Sequence, residues 1–327
     1  VRRTALAVAL VALATLPLWL LNSYYVNIAS QMLLWAIFAL GLNVMVGYAG
    51  LTSLGHAGLF GIVAYAAGWL AGHGLDPFAS ALIGIAVGLA TSAVYAVLSL
   101  RTTGISFLMI TLALGQVLWG IAYRWISVTG GDNGLNLGAR PAPFGFSLED
   151  PPAFYYASLV LFLAVVAAMF VFAASPLGAA LRGTRDQARR MTTLGFNVWL
   201  TRFIAFLFSG LVTAISGLLF LYYNKFVSPH ALSLTTSAEV LLMVISGGTA
   251  TLVGPIVGAV LVVTVKYVVS AYIERWNLVL GAIFVVIVMF MPEGLVPGAV
   301  RLWNAGRMSL GARLAAGRVR TSGESPP

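Results

Sequence analysis

No Asp, Glu, Lys or Arg occurs between Thr4 and Leu75. A bilayer's hydrocarbon core takes roughly 20 apolar residues per helical crossing, so this run lies in hydrocarbon and turns back on itself at least twice. Backbone N–H and C=O groups in lipid must be satisfied within the structure, which leaves helices and closed barrels. Membrane barrels show short segments of alternating polarity. This run is apolar on every side, so it is helical. The rest of the chain agrees: of 327 residues, 60% are hydrophobic and 8% charged, whereas roughly a quarter are charged in soluble domains. The chain is read as an all-α, polytopic integral membrane protein.

Apolar runs at 5–21, 27–46, 57–72, 78–99, 104–123, 153–174, 202–223, 238–247, 251–271 and 277–292 predict eight to ten transmembrane helices. The opening stretch VRRTALAVALVALATLPLWLLNSYY has the basic front and apolar body of a signal peptide. Its body is long and no small-x-small cleavage site follows, so it is read as an uncleaved first span. Two runs are interrupted. GYAGLTSLGHAGLFG (47–61) and VISGGTATLVGPIVGA (244–259) place glycine, proline and small polar residues at membrane depth, the mark of broken helices in transporters.

The net charge of +9 is a matter of topology rather than of nucleic acid. With a cytoplasmic amino end, the inside regions are the N-terminus, the Arg101 turn, the loop at 175–202 and the segment after Pro292. These hold 13 of the 18 basic residues, as the positive-inside rule requires. Arg124, Arg140, Lys225 and Arg275 fall outside, and Lys266 is placed to snorkel from a span end. The outer segment 124–152, rich in Gly, Asn and Pro, reads as an irregular surface. Both termini are expected in the cytoplasm, with residues 1–297 forming the transmembrane domain and 298–327 a basic cytoplasmic tail near anionic lipid.

Several chemistries are excluded. There is no cysteine, hence no disulfide and no thiolate site. Ser53 and His56 are spaced to meet on a helix face, but a hydrolase also needs an orienting group, and the surrounding run has no carboxylate. Neither H-E-x-x-H nor G-x-x-x-x-G-K-[ST] occurs. The expectation is therefore no cofactor, no metal and no catalytic residue, with any ATP hydrolysis left to other subunits. An ion-coupled carrier normally keeps ionisable groups within its spans; here only Glu239, His56 and Lys266 qualify, and Glu239 reads as an interfacial, helix-starting carboxylate.

The inner segment SPLGAALRGTRDQARRMTTLGFNVWLTRF (175–203) places Leu177, Ala180, Leu181 and Thr184 at helical spacing. Arg182, Arg185, Asp186, Arg189 and Arg190 occupy the faces between, before a stop at Gly195. The residues alone fit either a docking helix or a basic helix pinned to headgroups.

Taken in order, ALGLNVMVGYAGLTSLGHAGLFGIVAYAAG, GAALRGTRDQARRMTTLGFN and SGGTATLVGPIVGA resemble the permease subunits of bacterial branched-chain amino acid ABC importers, from about Trp35 to Pro297, and the length resembles the longer permease type. The resemblance implies a heteromeric importer of the inner (cytoplasmic) membrane: a second permease chain, two cytoplasmic ATPase subunits and a periplasmic substrate-binding protein. It implies that 175–202 is the coupling element. Relatives there read R-A-x-R-D-x-E-x-A-A-x-x-x-G; this chain matches at Arg182, Arg185, Asp186 and Gly195, and has Ala188, Arg190 and Met191 where an acid and two alanines are expected. Urea, short amides and aromatic acids are carried by permeases that look alike, and a lone ion-coupled carrier is the reading from another class.

The expected translocation path or helix break comprises Gly47, Tyr48, Gly50, Thr52, Ser53, Gly55 and His56, with Gly247, Gly248, Gly254 and Pro255 at the second interruption. Glycines there let backbones approach closely or leave helical geometry, and His56 is expected to lock the break by hydrogen bonding rather than to touch substrate.

Overall fold

A computed structural model of the chain describes residues 13, 15–17, 22–138, 140, 148–272, 275–291 and 293–301. Ten helices are used below: α1 Ser23–Asn43, α2 His56–Gly72, α3 Pro77–Ser99, α4 Ile105–Arg124, α5 Pro151–Ala174, α6 Pro176–Thr193, α7 Val198–Asn224, α8 Leu234–Gly247, α9 Gly254–Ser270 and α10 Trp276–Phe290. Five of the described helices are long and apolar enough to cross a membrane, and four shorter apolar helices accompany them. The architecture is that of an all-α polytopic membrane protein.

Caps explain where the helices start. Asn22 accepts from the Tyr24 amide at 3.0 Å, Asp76 from those of Phe78 and Ala79, and Asn197 from that of Leu200 at 3.0 Å; each answers one of the amides a helix start leaves over. These polar caps lie outside the apolar runs, so α1 and α7 begin at Ser23 and Val198 rather than at 27 and 202. Conversely, the run from 251 becomes helical only at Gly254, because the residues before it form a turn.

Helix α1 is the central element: it packs on α5, α7, α8 and α9, while α7 also packs on α2 and α3. Hydroxyls bind the centre together. Ser216 donates to the Leu34 carbonyl at 2.7 Å and Ser209 to that of Gly41 at 2.6 Å, bonds that substitute for the hydrophobic drive lipid cannot supply between helices. Around the rim, Ile105, Val160, Phe170, Val171, Met289 and Phe290 point outward, which a bilayer tolerates and water would not.

The stretch 238–271 is a hairpin of two short helices. α8 has 14 residues and α9 has 17, or about 21 and 26 Å, each short of the hydrocarbon thickness of about 30 Å. They lie almost in backbone contact, since a Cβ on Gly258 would strike the Met243 carbonyl and one on Gly247 that of Gly254.

The bundle has two ends. One carries α6. At the other, Leu135–Asn136 pairs antiparallel with Phe226–Val227, and Arg140 donates to the Tyr222 and Tyr223 carbonyls at 2.9 and 3.0 Å. The guanidinium thereby satisfies carbonyls left over where α7 ends. The segment expected to be irregular is thus tethered to α7. Of the predicted first span, only Leu13 and Thr15–Pro17 are described; the Tyr155 hydroxyl donates to the Leu13 carbonyl at 2.7 Å. The basic tail beyond Arg301 lies outside the described residues.

Candidate translocation and coupling site

After Asn43, α1 widens into a π-helical turn, Val44–Tyr48, and then leaves helical geometry until Gly55, the N-cap of α2. Unpaired amides at this depth are costly, so their partners matter. The Ala49 amide donates to the Val44 carbonyl at 3.1 Å and the Leu51 amide to that of Met45 at 2.8 Å. Side chains from distant helices serve the next ones: the Leu54 amide bonds Thr111 Oγ1 at 3.3 Å, and the Ala57 amide Ser237 Oγ at 3.2 Å. Non-helical backbone persists in a membrane protein only where it is enclosed like this or lines a cavity.

His56, 1% exposed, closes the break. Its Nδ1 lies 2.8 Å from Ser53 Oγ and its Nε2 2.9 Å from Ser209 Oγ. The Ser209 proton goes to the Gly41 carbonyl, so Ser209 accepts from Nε2–H. Nδ1 then accepts from the Ser53 hydroxyl, whose oxygen receives the Gly55 amide at 3.4 Å. This network assigns the neutral Nε2–H tautomer. One chain of hydrogen bonds joins the break to α7 and back to α1. The Ser53–His56 geometry superficially suits a nucleophile and its base, but the second ring nitrogen faces a serine and not the carboxylate a triad requires.

The glycines act by steric absence. A Cβ on Gly55 would strike the Thr111 carbonyl, and one on Gly47 would strike Asn43 Oδ1 and the Ala250 backbone. Gly50 has φ +69° and lies under the Arg185 side chain. Tyr48 is buried and Thr52 half-buried.

The second interruption packs against the first. Gly248, at φ +118°, ends α8. Gly254 opens α9 with its amide on Thr251 Oγ1 at 2.9 Å, and Pro255 follows it in the first turn, where no amide is missed. Asn43 holds the turn between them: Oδ1 accepts from the Ala250 amide at 3.1 Å and Nδ2 donates to the Thr251 carbonyl at 2.9 Å. Ala250 itself has φ +62°, a costly conformation for a non-glycine residue.

α6 lies across this end. Leu177 is half-buried, and Ala180, Leu181 and Thr184 are buried against the bundle. Arg182 donates to the Ala173 carbonyl at 2.9 Å, and Arg185 donates from Nη1 to the Gly47 carbonyl at 2.7 Å and from Nε to Asp186 at 3.0 Å. At Gln187 the backbone leaves helical geometry, with φ −150° and ψ 86°. The last turn is redirected there, and Met191 lies over Gly183. Asp186, Arg189 and Arg190 are exposed. The stop is at Gly195, φ +88°, where the Phe196 amide returns to the Met191 carbonyl at 3.1 Å in a Schellman-type closure.

The structure therefore brings Gly47, Gly50, Ala250 and Arg185 together, with Ser53, Gly55 and His56 deeper in the bundle. Asn43, Thr111, Ser209 and Ser237 were missed by sequence reasoning. The amide of Asn43, twelve residues from the preceding one in its apolar run, was a signal; the three hydroxyl residues lie on other helices and carried none. One pairing was not foreseen: Glu239 lies inside α8 and is 8% exposed, and Lys266 Nζ lies 3.5 Å from its carboxylate.

A helical membrane bundle with two enclosed helix breaks in contact, and an amphipathic helix hydrogen-bonded to one of them, has the build of a membrane transport subunit. The family profile described as "Branched-chain amino acid transport system / permease component" matches residues 24–288. The chain belongs to that family, and its role is transport rather than enzymatic catalysis. It is 29% identical to the high-affinity branched-chain amino acid transport system permease protein LivM of Escherichia coli (strain K12), over 91% of this chain and 76% of that protein. The protein of the same name in Salmonella typhimurium is 28% identical, with the same coverage. No solved structure matches the chain.

Proposed function

We propose that this chain is one permease of an ATP-driven importer in the bacterial inner membrane, carrying branched-chain or related small amino acids delivered by a periplasmic binding protein. Residues 1–297 form the membrane domain and both termini lie in the cytoplasm, so α6 faces two ATPase subunits while a second permease chain completes the path. The observation carrying this reading is the bond from Arg185 on α6 to the Gly47 carbonyl in the break. A displacement of α6 by ATPase closure is transmitted to the broken segment of α1 and, through Gly47 and Asn43, to the turn after α8. Exposed Arg189 and Arg190, beside exposed Leu194 and Phe196, form the face that meets the ATPase. The matches at Arg182, Arg185, Asp186 and Gly195 support this assignment.

The test is native mass spectrometry of the gently solubilised complex, followed by uptake in proteoliposomes. Recovery of a second permease and two ATPase subunits, with leucine uptake that needs ATP and the binding protein, is the expected result. Uptake by the chain alone under an ion gradient would overturn it in favour of a secondary carrier.

A further inference from the structure

Toward the end opposite α6, a cavity of about 210 Å³ lies between α1, α2, α7, α8 and α9. It exceeds the roughly 150 Å³ that admits a benzene molecule in an engineered apolar cavity, and is thus in the size range of a small amino acid. One wall is aromatic. Trp35 stacks on Phe60 with centroids 5.9 Å apart, and Phe220 closes on Phe60 at 5.0 Å. The lining also holds Glu239 and Lys266, 3.5 Å apart. Exposed Asn224 and His230 also line the cavity and so mark its mouth.

Among the described residues, Glu239 is the one acidic residue inside an apolar helix. A membrane-embedded carboxylate is costly and ordinarily marks a substrate or ion pathway. Its separation from Lys266 exceeds the 2.7–2.9 Å of a charge-assisted hydrogen bond, and the cavity reaches both groups. An anion and a cation side by side in a cavity that also has aromatic lining complement a molecule with an ammonium, a carboxylate and an aliphatic side chain. We infer that this cavity is a binding station for a zwitterionic α-amino acid, with Glu239 taking its ammonium, Lys266 its carboxylate, and Trp35, Phe60 and Phe220 its side chain. The ion pair opens to admit the zwitterion, and the charges of both partners stay compensated in low dielectric. Phe60 lies one turn beyond His56 on the same face of α2, so occupancy reaches the break through a single helical turn. This inference rests on the importer reading for the direction of travel, and it adds the place and polarity of binding.

This chain has no cysteine, so an Asn224→Cys thiol is its single reporter, labelled in the fully assembled importer and read on this chain after its subunits are separated. L-leucine at about nine times its dissociation constant should slow alkylation of that thiol about tenfold, because protection follows occupancy as 1 + [L]/Kd. 4-Methylpentanoate, which lacks the ammonium, and isopentylamine, which lacks the carboxylate, should give little protection. Glu239→Gln should remove the leucine protection and depress leucine uptake by about thirtyfold or more; Glu239→Asp should restore part of both. Undiminished protection in the Glu239→Gln protein, or equal protection by all three probes, overturns the site. A wild-type complex that hydrolyses ATP but takes up no aliphatic amino acid overturns the importer reading instead, a result recognisable before any variant is made.

Discussion

Arg185 Nη1 donates to the main-chain carbonyl of Gly47 at 2.7 Å, joining the amphipathic helix α6 to the point where α1 ceases to be helical. Gly47 and Gly50 together allow the contact. The Gly47 carbonyl accepts the bond, and its missing side chain admits the Ala250 backbone; the room for the Arg185 side chain is made by Gly50. A hydrogen bond to a charged group contributes about 1.5–3 kcal/mol when shielded, and somewhat less here, since the Arg185 side chain is 35% exposed. We predict that Arg185→Ala leaves assembly and basal ATP hydrolysis in place and abolishes most substrate-stimulated hydrolysis. Full stimulation in the Arg185→Ala complex would show that α6 acts through other contacts.

Asn43→Ala removes both bonds to the turn after α8. It leaves the Ala250 amide and Thr251 carbonyl without their protein partner, at about 1–3 kcal/mol for each orphaned group. Hydrogen exchange should accelerate at 249–252 specifically. Asn43→Asp is the informative control, because it keeps an acceptor for Ala250 but sets a carboxylate against the Thr251 carbonyl. It should fail nearly as badly as alanine.

Two glycines separate the break from ordinary packing. A Cβ on Gly55 would strike the backbone carbonyl of Thr111 at 2.3 Å, whereas one on Gly68 would lie 3.3 Å from a Leu221 side-chain methyl, which needs to give by only a few tenths of an ångström. Overpacking against backbone costs about 1–3 kcal/mol or more, so Gly55→Ala should lower the thermal midpoint clearly and Gly68→Ala scarcely at all. Gly55→Leu should likewise impair transport more than Gly68→Leu. Equal effects of each pair would reduce the break to simple helix packing.

His56→Phe preserves much of the packing beside Phe206 and deletes both ring nitrogens. Ser53 and Ser209 each lose a buried partner, with a cost of about 1–3 kcal/mol. A double-mutant cycle between His56→Phe and Ser209→Ala should therefore be non-additive by about 0.5–3 kcal/mol; strict additivity would mean that the relay from the break to α7 carries no energy.

At the far end, the hydrogen bond from Lys225 holds the Glu149 carboxyl below the usual carboxylate range, with the Arg140 amide helping. A depressed folded-state value means that this tether's stabilisation is present above the unfolded glutamate value of about 4.3. It is lost as pH falls through the lower folded value. The stability difference between wild type and Glu149→Gln should be flat from neutral pH to about 5 and shrink below about 4. A difference that instead changed near neutrality would assign the tether to another group.

Much of this molecule was legible in its sequence. The apolar runs located the helices because lipid imposes one rule on every segment: bury no unpaired backbone. The two glycine clusters flagged both interruptions, and the alternation of Leu177, Ala180, Leu181 and Thr184 with arginines oriented α6. Boundaries shifted where capping residues such as Asn22 and Asn197 stood outside the apolar runs. Less legible were the partners of each polar group. Glu239 and Lys266, 27 positions apart by numbering, read as two unrelated charges near span ends, and nothing linear connected Arg185 with Gly47.

The physical reason is the range of the forces. Hydropathy, charge asymmetry and glycine's missing side chain act locally, so the sequence by itself determined a helical membrane bundle, its interruptions and its amphipathic helix. Hydrogen bonds and ion pairs in a membrane are satisfied by whichever groups the packed helices bring within about 3 Å. Only the tertiary structure could decide that Asn43 clasps the turn after α8, that His56 bridges Ser53 and Ser209, and that Glu239 and Lys266 line one cavity with Trp35, Phe60 and Phe220.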